Sequence, residues 1–322
     1  MKKRFAASLL FILSLLLTSA CGNQPAPSGN SGSEPASGST ANTTAATTSE
    51  PEKPKTPVKV KIGVTGADGP QWELIKNKVK EQNIEIDLVE FSDYTLPNLA
   101  LANGEVDINA FQHLAFLSQF NVEHNLDIVP IGSTAVSPLG LYSKKYASPD
   151  EIPDGAKIAI PNDPSNQGRG LLVLEQAGLL KLKDNPGLYA TPDDIVDNPR
   201  KLTIVPVVAQ QTPRVLPDVA ASIINGGIAG QAGYKLSDAI FHDDPHAEST
   251  RPYVNVFAVR EQDKDNEIFQ AIAKSYQEED VIKAVEEDTN GASFVTYVPV
   301  DQLQATLDQL IENIKAAAAA KS

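Results

Sequence analysis

The stretch VKVKIGVTGADGPQWELIKNKVKEQNIEIDLVEF, residues 58–91, decides the fold. Val58–Val64 is rich in β-formers and ends at Gly and Thr. Trp72–Lys80 then places Leu74, Ile75 and Val79 at helical spacing, and Ile84–Phe91 returns to strand composition. Strand, amphipathic helix and strand in succession make a βαβ unit, whose two strands run parallel. The rhythm continues through a helix at Leu96–Ala102, a strand at Val106–Phe111, a helix at Leu114–His124 and a strand at Asp127–Ile131. This predicts a parallel sheet covered on both faces.

A second series begins at Lys157–Ile160, with a helix over Gly168–Ala177 and strands at Leu202–Val208 and Ala220–Ile224. Two β-rich runs, Leu139–Lys144 and Tyr253–Arg260, bracket it and are candidates for strands crossing between lobes. After Arg260 the chain turns helical over Glu267–Gln277, Asp280–Glu287 and Val300–Ala318. The expectation is a two-lobed α/β protein. Residues 58–138 and 261–322 would form the first lobe, and 139–260, with the crossing strands, the second. A ligand would sit in the cleft where the strand ends of both lobes meet.

Upstream, Lys2, Lys3 and Arg4 precede the apolar run Phe5–Leu17, and small residues lead to Cys21. That is a secretory signal over residues 1–20, too short to span a bilayer as a helix. Thr18-Ser19-Ala20-Cys21 resembles a bacterial lipobox, although Thr18 stands where Leu is usual. Cys21, the only cysteine, then becomes a lipid-modified N-terminus, which anchors the chain to the extracytoplasmic face of the membrane and excludes a disulfide framework. Residues 22–57 are Gly, Ser, Thr, Pro, Ala and Asn with almost no large apolar side chain. They form a tether of about 30–35 Å root-mean-square span. Loss of residues 1–20 removes three positive charges and takes the formal net charge from −14 to −17. So acidic a chain argues against nucleic acid as a partner.

Enzyme signatures are missing. Gly63-Val-Thr-Gly66-Ala-Asp-Gly69 follows a strand without the dinucleotide spacing. There is no phosphate loop with Lys and Ser/Thr and no Gly-x-Ser-x-Gly elbow. No cofactor is expected. His242-Asp243-Asp244-Pro245-His246 has metal-like composition, but Pro245 prevents a regular helix through it, and it reads as a solvated loop rather than a metal site.

The remaining polar motifs sit at strand ends. Phe111-Gln112-His113 closes a strand of the first lobe, where it serves either packing or a ligand. In Asn162-Asp163-Pro164-Ser165-Asn166-Gln167-Gly168-Arg169, Ser165 or Asn166 can cap a helix with Arg169 in its first turn. The macrodipole disfavours a cation there; bidentate capture of a carboxylate would account for it, the alternative being a plain surface Arg. Ile224-Asn225-Gly226-Gly227 repeats the strand-to-turn arrangement, with glycines that serve either a plain turn or a close approach of backbone to a ligand. One lobe would offer Tyr94, Phe111 and His113, and the other Asn162, Asn166, Arg169 and Asn225. An apolar wall opposite a carboxylate clamp suits a small apolar amino acid.

These residues carry a resemblance. Phe91-Ser92-Asp93-Tyr94 with Pro97-Asn98, Gly104 through His113, Leu139 through Tyr146, and Ala159 through Arg169 are similar to the NlpA-type methionine-binding lipoproteins, and the similarity spans residues 58–317. It implies a periplasmic-binding-protein fold and delivery of D- or L-methionine to the permease of an ABC importer. On it, Arg169 would hold the ligand carboxylate, Asn166 and Asn225 would bond the head group, and Tyr94, Phe111 and His113 would line the thioether pocket. Ala110, Phe116 and Ile228 depart from the family pattern. They point to a roomier pocket, with a Met-containing dipeptide or another apolar amino acid as alternative ligands. An anchored enzyme or an adhesin remains the alternative of a different class.

Overall fold

The computed structural model describes residues 56–290 and 292–319; the expected signal peptide, Cys21 and nearly all of the 22–57 tether lie outside them. Two five-stranded sheets organise these residues. The first runs in the order Ile84–Glu90, Val58–Val64, Ile108–His113, Asn255–Arg260, Ile128–Ser133. Val58–Val64 is parallel to both neighbours, as the opening βαβ pattern requires.

Asn255–Arg260 departs from the expectation in two ways. It runs antiparallel to both flanking strands, so the sheet is mixed rather than parallel. It also lies inside the first sheet, although the sequence reading grouped it with the second lobe. Val256 to Val259 are fully buried. A continuous apolar run suits a strand covered on both faces, and a central place in the sheet supplies that cover.

Helices pack on both faces of this sheet. Pro70–Lys80 starts two residues earlier than its apolar pattern indicates, because proline is tolerated at the first helical position. Its Trp72, Ile75 and Val79 enter a core with Val60, Ile62, Phe257 and Ile272. Each such side chain contributes about 1.5–3 kcal/mol by leaving water. On the opposite face, Leu101, Leu114 and Leu117 pack with Leu303, Leu307 and Leu310 of the long helix Val300–Ala319.

The second sheet is ordered Thr203–Val207, Lys157–Pro161, Ala221–Asn225, Leu139–Tyr142, Ala239–His242. The first three strands are parallel and the last two antiparallel additions. Ala239–His242 is an edge strand that sequence reasoning did not mark. Chain passes between the sheets twice, through residues 134–138 and 243–254.

Candidate ligand cleft between the two sheets

Lys157–Pro161 delivers the chain to the helix Pro164–Gln176. The cap is Asp163, not Ser165 or Asn166: its Oδ1 accepts the Asn166 backbone N–H at 3.0 Å, and Pro164 follows at the first helical position. Arg169 is therefore the sixth helical residue, not a first-turn residue. Its cation is accounted for by another contact. Arg169 is 4% exposed and donates from Nε to Asp243 Oδ2 at 2.7 Å and from Nη2 to the Ser137 carbonyl at 3.0 Å. Its guanidinium carbon stands 4.3 Å from the centroid of the Tyr253 ring.

Asp243 thus corrects the reading of His242–His246 as a solvated loop. His242, Asp244 and His246 are exposed, but Asp243 is buried, and its Oδ1 also accepts the Leu139 N–H at 2.8 Å. A buried carboxylate needs a cation and hydrogen-bond donors to replace its lost hydration, and Asp243 has both. Among the described residues no group of three or more His, Cys, Asp or Glu is arranged to hold a metal ion.

His113 ends the strand Ile108–His113 and caps the helix Leu114–His124, with Nδ1 accepting the Phe116 N–H at 3.0 Å. An accepting Nδ1 leaves the proton of a neutral ring on Nε2. Nε2 lies 3.2 Å from Asn166 Oδ1, so His113 donates across the cleft. Burial, and then the positive charge of Arg169, push the His113 pKa down to about 3. The ring is neutral near pH 7. Asn225 Nδ2 donates to the same Asn166 oxygen at 2.7 Å, while Asn166 Nδ2 donates to Asp163 Oδ1 at 2.9 Å.

Tyr94, Phe111 and Phe116 form the aromatic wall beside this network. Their ring centroids are 5.9–6.0 Å apart in every pairing. His113 meets Tyr253 edge-on at 5.3 Å. Burial raises the Tyr94 pKa, and the nearby Asp163 charge adds to the rise, so its phenol stays protonated.

Further contacts join the lobes. Tyr189 Oη lies 2.8 Å from Ser118 Oγ, and Gln231 Nε2 donates to the Thr65 carbonyl at 2.5 Å.

Six of the seven candidate residues, Tyr94, Phe111, His113, Asn166, Arg169 and Asn225, fall in this network or its aromatic wall. Asn162 makes no bond in that network: it is exposed and lines a 250 Å³ cavity with Asp163, Phe116 and Phe120. Gly226 permits a close backbone approach, but to the chain itself. A Cβ there would stand 3.0 Å from the Ser137 side chain and 3.1 Å from the Pro138 carbonyl. Ala110 packs against the first core, on the strand face away from Phe111, so its small size adds no room to the cleft. Phe116 is a full member of the wall. Ile228 packs with Tyr142 and Ile224, and Tyr94 leans on that cluster.

Asp163, Asp243 and Tyr253 were not singled out from sequence. Asp163 had a signal, since Asp before Pro before a helical run is a cap pattern. Asp243 and Tyr253 had none, because their partner is 74 residues away for Asp243 and reached only through the fold.

Residues 60–296 match the family described as NlpA lipoprotein. The D-methionine-binding lipoprotein MetQ of Salmonella typhimurium is 42% identical over 244 residues, covering 74% of this chain and 89% of that protein. The substrate binding protein of a methionine transporter from Streptococcus pneumoniae superposes with a TM-score of 0.71 at 33% identity, over 74% of this chain and 95% of that one. A nutrient binding protein from Burkholderia cenocepacia, solved bound to methionine, gives 0.69 at 38% identity, over 74% and 99%. With two sheet-containing lobes and a polar cluster between them, the chain belongs to the NlpA lipoprotein family.

Proposed function

We propose that this protein is an extracytoplasmic, lipid-anchored solute-binding protein that captures methionine, D or L, between its lobes and delivers it to an ABC importer. The observation that carries this reading is the meeting of Arg169, His113, Asn166 and Asn225 beside the Tyr94–Phe111–Phe116 wall, in a chain 42% identical to a D-methionine-binding lipoprotein. A guanidinium has further N–H donors beyond the two bonded here, and these receive the ligand carboxylate. Asn166 and Asn225 bond the head group. The aromatic wall takes the thioether, which favours contact with ring edges. Lobe closure, from a first lobe built on 58–138 and 255–319 and a second on 139–254, excludes water from these contacts.

The role is capture without turnover, in keeping with relatives that are binding proteins. Anchoring follows from cleavage after Ala20 and lipid on Cys21, and Cys21→Ser would release the protein from membranes while leaving ligand binding intact. Free methionine is favoured over a Met-containing dipeptide, because Ala110 faces the core and Phe116 fills the wall. A thermal-shift series with D-methionine, L-methionine, methionyl dipeptides and other apolar amino acids tests the reading. Methionine should raise the melting temperature most, since ligand that binds only the folded state stabilises it by mass action. A larger rise with a dipeptide, or none with any amino acid, would refute it.

A further inference from the structure

We propose that Asp163 is the acid that selects for an α-ammonium group on the ligand, so that the cleft takes an α-amino acid and rejects the matching α-hydroxy acid. This rests on the reading of the cleft as an amino-acid site. Three hydrogen bonds reach the Asp163 carboxylate, from the Asn166 backbone N–H at 3.0 Å, Asn166 Nδ2 at 2.9 Å and Ser165 Oγ at 3.0 Å. All three end on Oδ1. Oδ2 is buried and has no partner among the described residues, and Asp163 is in none of the ion pairs. The nearby cation, Arg169, is already matched by Asp243. With Asp163 in its charged form, Arg169, Asp243 and Asp163 together carry one negative charge that no ion pair among the described residues matches. Burial also holds the Asp163 carboxyl above its ordinary pKa, as expected of a carboxylate short of counter-charge.

A second unpartnered acceptor belongs to Asn225, which bonds the Asn166 amide. The network is polarised from both ends, by the Phe116 N–H, which can only donate, and by the Asp163 carboxylate, which in its charged form can only accept. Between them His113 must donate from Nε2 and Asn166 must present Nδ2 to Asp163 and Oδ1 to Asn225. Asn225 consequently turns its Nδ2 to Asn166, and its Oδ1 is buried without a partner among the described residues. Two unpartnered acceptors among the described residues, Asp163 Oδ2 and Asn225 Oδ1, thus belong to two of the three residues whose side chains bond the Asn166 amide, the third being His113. An ammonium brings three donors and a positive charge to such a pair. A hydroxyl brings one donor and no charge.

Asp163→Asn isolates the claim. Asparagine is as good a helix cap as aspartate, it keeps an oxygen for the three existing bonds, and it replaces the unpartnered oxygen by a donor. Calorimetric titration of the full chain, refolded to strip bound ligand, compares L-methionine with 2-hydroxy-4-(methylthio)butanoate. The wild type should prefer methionine by about a hundredfold. Asp163→Asn should lose methionine affinity by about tenfold to a hundredfold, the range for a charge-assisted hydrogen bond, with the hydroxy acid unchanged or tighter. An equal loss for both ligands would overturn the proposal and leave Asp163 as a helix cap. A wild-type preference below about threefold would overturn it without any variant. Failure of the wild type to bind methionine at all would instead refute the amino-acid reading.

Discussion

Arg169 and Asp243 meet as a buried ion pair, Nε to Oδ2 at 2.7 Å, with side chains 4% and 7% exposed. The pair does more than neutralise two charges. Ser137, Asp243 and Tyr253, all bonded to or stacked on Arg169, lie in or at the ends of the two segments that pass between the sheets. The residue proposed to hold the ligand carboxylate thus grips both interlobe connections. Removing one partner of a buried pair strands the other, at about 3–5 kcal/mol, whereas replacing both with apolar groups is often neutral.

Arg169→Met and Asp243→Leu should therefore each lower stability by about 3–5 kcal/mol in urea unfolding, and the double variant should recover most of that loss. Methionine binding should not recover with it. A double variant as unstable as the sum of the singles would show that the pair is not the source of the cost.

Protonation of His113 should destabilise the fold. Its folded pKa is about 3, below the ordinary value of 6.5, so between these values the unfolded chain binds the extra proton. Stability is then complete above about pH 6.5 and declines as pH falls toward 3. Arg169 faces the ring and opposes a second positive charge, while Asn166 accepts from Nε2 and Tyr253 packs at its edge. The melting temperature of the wild type should fall more steeply between pH 6.5 and 4 than that of His113→Gln. Parallel curves would contradict the assignment.

Asn98, Asn109 and Gln112 form a buried amide network under the site. Asn98 Oδ1 accepts from Asn109 at 2.9 Å and from Gln112 at 2.7 Å, and its Nδ2 donates to Gln112 at 2.7 Å. Asn98→Leu leaves several buried amide groups unpaired at about 1–3 kcal/mol each, so a loss of about 3 kcal/mol or more is expected in chemical unfolding. A change below about 1 kcal/mol would mean that water replaces the lost partner.

Tyr189 reaches from the second lobe to Ser118 and to the Ala115 carbonyl on the helix Leu114–His124. Tyr189→Phe removes a contact made only when the lobes meet. Methionine affinity should fall about twofold to tenfold, the value of a neutral hydrogen bond. Unchanged affinity with a lowered melting temperature would make Tyr189 structural only.

Most of the architecture was legible because it rests on local pattern. Val58–Val64, Leu96–Ala102 and Leu114–His124 match their apolar periodicity to the residue. The direction of Asn255–Arg260 was not legible, since an apolar run announces burial and says nothing of the neighbouring strands. In the cleft, Asn166, Asn225 and Arg169 stood out as polar residues at strand ends and helix starts. Asp243 did not, because its sequence neighbours are exposed and only tertiary packing buries it. Ala110 shows the opposite error: one position along a strand turns a side chain from the cleft to the core.

The most direct test of methionine capture in this cleft is calorimetric titration of the refolded full chain with D- and L-methionine, run beside Arg169→Met. The wild type should bind at least one enantiomer with a Kd of about 1 μM or tighter, and Arg169→Met should weaken it by about tenfold or more. A folded wild-type protein that takes up neither enantiomer, or an Arg169→Met variant that binds as the wild type does, would contradict the account.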